Sequence, residues 1–295
     1  MRNTKRSSPF IDSVRNAIRV RHYSIRTEEA YVSWIKRFIR FHGMRHPKDM
    51  GESEVGQFLT HLAVDGKVSA STQNQALNAL VFMYRFIVER PLGELQNVAR
   101  AKKPQKLPVV LDQQEIKNLL AQLEEPHWLI ACLLYGSGLR LLEAVRLRTK
   151  DLDFGRRALI VRDGKGRKDR VVTLADPLIV PLQRHLMNVK NVHEKDLSDG
   201  FGALYLPYAL ARKYLNAPVE WAWQYVFPAR KRSIDPRTRI DRRHHIHESA
   251  VQKAIKVAVR GAGIDKPASC HTLRHYAASR IMPNEALEAG GALAG

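Results

Sequence analysis

Near the end of the chain, the stretch SCHTLRHYAASR (residues 269–280) places His271, Arg274, His275 and Tyr276 within six positions. His271 and Arg274 are three apart, so on a helix they share one face. An imidazole beside a guanidinium joins an acid/base group to a cation, a combination suited to chemistry at phosphorus. Two more cations are candidates. Arg140 follows a Gly-Ser-Gly break between two apolar helical runs in PHWLIACLLYGSGLRLLEAVRLR. Guanidiniums and helix N-termini both favour phosphate. Lys165 sits at the tip of ALIVRDGKGRKDRVVTL, where two β-rich runs flank a Gly-Lys-Gly turn, with Arg167, Lys168 and Arg170 close by. Taken singly, each feature is commonplace: such arginines are mostly surface residues, and a turn lysine is mostly solvated.

Positioning these residues needs two domains, as the length of 295 residues suggests. Residues 1–93 read as a helical N-terminal domain. SPFIDSVRNAIRV offers Ser8 as N-cap and Pro9 at the first helical position, with Ile11, Val14 and Ile18 on one face. Thr27 is expected to cap the next helix, whose Tyr31, Trp34, Ile35, Phe38 and Ile39 form a stripe read as core rather than base-stacking surface. Val55, Phe58, Leu59 and Leu62 repeat the pattern, and a long last helix halts before Pro91. Residues 94–111 are basic and broken by Pro104 and Pro108, and read as a linker. The second domain, 112–295, opens on Asp112 and Glu115, spaced as a capping box. Helices are expected at about 176–190 and 248–262 and around CHTLRH. Residues 191–248, rich in aromatics, prolines and charge, show no such period.

Composition narrows the partner. Lys and Arg number 49 against 29 Asp and Glu, a formal charge of +20 with pI near 10.2. Such an excess meets phosphate, in nucleic acid or on an anionic membrane. No apolar run approaches the 18 or so residues that would cross a bilayer, and the basic N-terminus lacks a signal peptide's apolar run. Two distant cysteines fit a reducing, cytoplasmic setting. DNA is the favoured partner, without a membrane.

Arginine after a glycine-rich turn, lysine on a β-hairpin, and then H-x-x-R form a combination found in LLYGSGLRLLEAVRL and CHTLRH. In this the chain resembles the tyrosine recombinase (phage integrase) family over nearly its whole length. LPYALARKYLNAPVEWAWQYVFPARKRSIDPRTRIDRRHHIHE resembles the insertion, here at about 191–248, that marks integron integrases. The resemblance implies a mainly α two-domain DNA clamp, with a helical core-binding domain and a mixed α/β catalytic domain carrying a small antiparallel sheet. It implies site-specific recombination through a 3′-phosphotyrosine, without cofactor or metal. Arg140 and Arg274 would clamp the phosphate, His271 would act in hydrogen bonding and acid/base transfer, and Lys165 would protonate the leaving 5′-hydroxyl. Glu143 either orients an arginine or is a solvated surface residue. The implied partners are duplex sites and folded single-stranded hairpins, on which the family assembles as a tetramer. In the insertion, Trp223, His244 and His245 would contact an unpaired base, with Trp221 read as core. Arg242 and Arg243, like Arg167 and Lys168, would meet the DNA.

In the family a second His or Trp and then the nucleophilic tyrosine follow H-x-x-R. The chain ends 21 residues after Arg274, the tail ASRIMPNEALEAGGALAG contains no His, Trp or Tyr, and both expected positions fall beyond the end. Tyr276 is a poor substitute: at about 100° per residue it points roughly 200° from Arg274 on a helix, and it reads as packing. A truncated or frame-disrupted product, inactive in cleavage and impaired in assembly, is the simplest expectation. The competing reading is a non-catalytic DNA-binding protein or regulator on the same scaffold. Zinc is disfavoured, because His244, His245 and His247 lack paired metal-ligand spacing.

Overall fold

The computed structural model describes residues 8–93, 109–162, 164, 168–206, 208–235 and 238–279, with the backbone alone at 208, 209, 211 and 275–279. The chain divides into two compact units, Met1–Lys106 and Leu107–Gly295. It is mostly helical with small antiparallel sheets. No helix among the described residues is long and apolar enough to cross a membrane.

The first unit is built from α1 (Pro9–Val20), α2 (Ile25–Phe41), α3 (Glu52–Val64) and α4 (Ala70–Met83). Each lays one apolar stripe inward. Ile11, Val14 and Ile18 meet Trp34, Ile35, Phe38, Val55, Phe58 and Leu59 in a single core, so the aromatic stripe of α2 is packing. The cap of α2 is Ser24 rather than Thr27: its hydroxyl accepts the backbone N–H of Thr27, and the helix starts two residues before Thr27. The last helix does not run straight to Pro91. After Met83 it loosens into a π-helical turn, Tyr84–Val88, closed by Glu89 in the left-handed region.

The second unit opens on α5 (Gln113–Ala121). Asp112 accepts from the Glu115 N–H and Glu115 from the Asp112 N–H, a complete capping box. Leu111, at the end of the segment read as linker, is buried in this unit's core; residues 94–108 of that segment lie outside the described residues. The apolar α6 (His127–Gly136) is the centre of the unit, with Leu129 through Tyr135 all buried. Against it pack α7 (Leu141–Val145), α10 (Glu248–Gly261) and α11 (Cys270–Ser279). A three-stranded antiparallel sheet, β1 (Leu152–Asp153), β2 (Ala158–Val161) and β3 (Arg170–Thr173), lies in the order β1-β2-β3. Ala158 pairs with Thr173 and Val161 with Arg170, the hairpin the alternation predicts, with β1 as an added strand.

The helix expected at 176–190 begins as a single turn, Asp176–Leu178, and continues as α8 (Ile179–Ser198). The first eight residues of the segment read as insertion are therefore regular helix. Beyond them stand α9 (Tyr208–Lys213), a turn at Trp221–Trp223, and a two-stranded hairpin, β4 (Ser233–Ile234) with β5 (Asp241–Arg242).

Candidate active site

Gly138 adopts φ of +62°, a left-handed conformation that lets the chain leave α6 and turn sharply into α7. Arg140 is the residue just before α7. The helix has only five residues, so its dipole adds little and the side chain matters more than the helix end. Arg274, on α11, donates from Nε to the carbonyl of Gly138 at 3.0 Å. That bond joins residues 136 apart and brings the second arginine to the turn that carries the first. Burial, and then the positive charge of Arg140, pull the Arg274 guanidinium below its ordinary pKa. The fold holds these two cations near one another against both costs. His271 is exposed on the first turn of α11, and its backbone N–H is capped by Ser269 Oγ at 3.3 Å.

Glu143 is not a solvated surface residue, since its side chain is only 8% exposed. Arg140 Nη1 donates to its Oε1 at 2.7 Å, and Arg170 donates to both carboxylate oxygens at 3.0 and 2.6 Å. Desolvation works against its charge, but the bonds from Arg170 and Arg140 outweigh it and hold the carboxyl at a pKa of about 2. Arg170 stands at the foot of the hairpin, and Gly164 N–H donates to the Lys168 carbonyl at 3.2 Å near its tip. Across the base, Arg162 Nε donates to the buried carboxylate of Asp151 at 2.7 Å. The hairpin is thus pinned on both sides to the segment that follows Arg140. Lys168 is exposed; Lys165 and Arg167 lie outside the described residues, as do the side chains of His275 and Tyr276.

The insertion reads differently from the sequence. Arg243 is bonded within the protein. Its Nε and Nη2 donate to Asp196 at 2.5 and 2.8 Å, and Nη1 donates to the carbonyls of Ala229 and Arg230. Arg232 joins the same carboxylate at 3.1 Å and lies 3.7 Å over the Phe201 ring. Arg242 is also turned inward: Nη1 donates to the Leu204 carbonyl and Nε is buried. The carboxylate and carbonyl bonds of Arg243 and Arg232, and the Leu204 bond of Arg242, tie the insertion together, although the buried Nε of Arg242 has no hydrogen-bond partner among the described residues. His245 is half-buried, bonds the Ile246 carbonyl through Nδ1 and meets Tyr225 edge-on; burial lowers its pKa. His244 lies 3.8 Å from the buried Asp235. Trp221 is half-buried and near His193, outside the core clusters. Trp223 packs on Leu204, Leu206 and Ala217, with the Lys150 ammonium 2.7 Å from its ring centroid. Beside it lies a cavity of about 400 Å³ lined by Leu204, Tyr205, Leu206, Arg212, Pro218, Thr238 and Arg242.

Sequence reasoning missed Asp196, Asp151 and Arg148. Arg148 donates to the carbonyls of Trp223 and Tyr205 at 2.6 and 3.3 Å, and so ties the insertion to the segment after α7. The available signal was Asp196 itself, a carboxylate on the same face of α8 as Val189 and His193. Among the described residues, no cluster of His, Cys, Asp or Glu is arranged to hold a metal ion.

Residues 10–94 match the phage integrase N-terminal SAM-like domain and residues 109–287 match the phage integrase family. The chain belongs to the phage integrase family, whose members are the tyrosine recombinases. An integrase/recombinase of Escherichia coli is 46% identical over 277 residues, covering 94% of this chain and 82% of that protein. One of Pseudomonas aeruginosa matches at the same level. In structure, a lambda integrase tetramer bound to a Holliday junction aligns with a TM-score of 0.56 at 15% identity, covering 96% of this chain and 77% of that one. The Tn1549 transposon integrase in complex with transposon right end DNA aligns at 0.55 and 17%, covering 96% and 90%.

Proposed function

We propose that the chain is an integron-type integrase whose Arg140 and Arg274 clamp the phosphodiester at which DNA strands are exchanged. The observation that carries this reading is the bond from Arg274 to Gly138, which gathers two guanidiniums from the two ends of the domain around one turn. In the reaction a tyrosine oxygen attacks phosphorus, a 3′-phosphotyrosyl bond forms and the 5′-hydroxyl departs. The arginines stabilise the charge growing on the non-bridging oxygens. His271, exposed beside them, serves hydrogen bonding and acid/base transfer, and Lys165 supplies the proton to the leaving oxygen. Assembly as a tetramer on two sites belongs to the same reading, by analogy with the lambda integrase complex.

Within these 295 residues, no tyrosine stands where the family places its nucleophile. A polypeptide of these residues is therefore expected to bind DNA without forming a covalent adduct. Nicked suicide substrates run on denaturing gels test this. A protein–DNA band that disappears in Tyr276→Phe would overturn it. Binding should fall steeply with salt, with a slope of log affinity against log salt of at least about 4, since each neutralised phosphate contributes about 0.9. A flat response would remove DNA from the proposal. Persistent binding by an Arg140→Ala, Arg274→Ala variant with no loss at the crossover phosphate would favour a non-catalytic DNA-binding protein instead.

The integron reading adds folded single-stranded hairpins as substrates. Its support is Trp223, packed on Leu204 and Leu206, two of the residues that line a cavity together with Arg242. A base stacking on Trp223 would displace Lys150, whose ammonium is then placed to meet the backbone phosphate. Stacking contributes roughly 1–3 kcal/mol per base, so Trp223→Ala is expected to weaken binding of a hairpin with unpaired bases by about tenfold. Binding of the fully paired duplex should hardly change. Equal losses on both substrates would make Trp223 a packing residue only.

A further inference from the structure

The Glu143 carboxylate is saturated. Oε1 accepts from Nη1 of Arg140 at 2.7 Å and Nη1 of Arg170 at 3.0 Å, while Oε2 accepts from the Arg140 backbone N–H at 2.8 Å and Nη2 of Arg170 at 2.6 Å. A carboxylate offers about four acceptor directions, and all are taken. Two guanidiniums compete for it. An arginine facing a carboxylate by itself closes into the two-bonded fork, the strongest geometry available to the pair. Arg170 holds that fork. Arg140 is left with one side-chain bond, and among the described residues its Nε and Nη2 have no hydrogen-bond partner.

We propose that Arg170 is a positioning residue: by occupying Glu143 in the fork, it stops Arg140 from closing onto the same carboxylate and keeps that guanidinium open to a phosphoryl oxygen. The inference rests on the reading of Arg140 as a phosphate ligand. Charge works in the same direction. Arg140 and Arg170 bond one carboxylate and Arg274 stands close enough to interact with all three charges, so the site keeps the excess positive charge that an anion needs. Without Arg170, Glu143 would cancel Arg140. The hairpin is shaped for this arrangement at Gly164. A Cβ there would lie 2.9 Å from Arg170 Nη1 and 2.9 Å from the Lys168 carbonyl oxygen. The arginine head occupies the space in which any larger residue would begin its side chain.

The test uses the 295-residue chain labelled with ¹⁵N-arginine. Inorganic phosphate is titrated while the Nε–H resonances are followed, and Arg140→Lys identifies the Arg140 signal. In the unsubstituted chain the Arg140 signal should move and saturate. In Arg170→Gln the apparent Kd should rise about tenfold or more, the effect of losing a hydrogen bond to a charged partner. Arg170→Lys, which restores the charge but not the fork, should fall between the two. Gly164→Ala, which leaves every charge in place and displaces Arg170, should weaken phosphate in the same direction. A merely structural role for Arg170 would lower thermal stability without changing phosphate affinity. An Arg170→Gln chain that stays folded and binds phosphate as tightly as the parent overturns the proposal, and so does unchanged affinity in both Arg170→Lys and Gly164→Ala. If the Arg140 signal does not respond to phosphate in the unsubstituted chain, the phosphate-clamp reading itself fails, and the positioning role falls with it.

Discussion

Asp196→Ala is expected to destabilise the second unit by about 3–5 kcal/mol, the range for removing one partner of a buried ion pair. Asp196 is 5% exposed and is the common acceptor for Arg243 and Arg232. Without it, Arg243 loses the carboxylate that its Nε and Nη2 bond, and Arg232 keeps only the longer contacts to Asp199 and Asp241 at 3.7 and 3.5 Å. Chemical denaturation at neutral pH measures the loss. Asp199→Ala is the matched control, because Asp199 is 46% exposed and 3.7 Å from Arg232. It should change stability by no more than about 0.5 kcal/mol. Similar losses from the two substitutions would mean that the insertion does not depend on the buried network. Asp196 also has a lowered pKa, caused first by its bond from Arg243. Its contribution is therefore complete above the unfolded carboxylate range and fades as pH falls through the folded value.

Glu143→Gln should give the second large effect. The folded carboxyl has a pKa of about 2, against about 4.3 for an unfolded glutamate. A depressed folded pKa gives stability that is present above the unfolded value and is lost as pH drops toward the folded one. At neutral pH the substitution should cost about 2–3 kcal/mol, discounted for partners that are each about one-third exposed. Between about pH 4.5 and 2 the parent should lose stability faster than Glu143→Gln, so the two curves converge. Parallel curves over that window would show that the Arg140 and Arg170 bonds do not stabilise the carboxylate.

The helices were legible wherever a period was. Ile11, Val14 and Ile18, then Val55, Phe58, Leu59 and Leu62, occupy the faces their spacing predicts. The capping box at Asp112 and the hairpin around Gly164 followed from local chemistry in the same way. Errors arose where two local solutions compete. Ser24 and Thr27 can both cap α2, and Ser24 does so because the helix starts earlier. The insertion was poorly legible for a different reason. Its order comes from arginines that reach across 36, 47 and 75 positions to Asp196 and to the Trp223 carbonyl. Such pairs leave no period, so seven basic residues in 230–243 read as a solvated, DNA-facing run. Arg242 and Arg243 are bonded within the insertion and to α8. At the candidate site the sequence supplied the residues but not the wiring: Arg140 and Arg274 were legible as cations, whereas the contest between Arg140 and Arg170 for Glu143 exists only in three dimensions.

The stitching at Arg148 and Asp196 also bears on how such a segment could be gained or discarded. Excising residues 199–242 would remove the Trp223 and Tyr205 carbonyls from Arg148 and the Arg232 partner from Asp196. The shortened chain would carry a guanidinium without its acceptors and a carboxylate facing Arg243 across a broken strand pair. A clean loss would need simultaneous neutral replacements at both positions. The segment is therefore ratcheted into the domain: once both charges are in place, single deletions are penalised and single substitutions at Arg148 or Asp196 are penalised too, so the only inexpensive direction of change is to vary the residues between them.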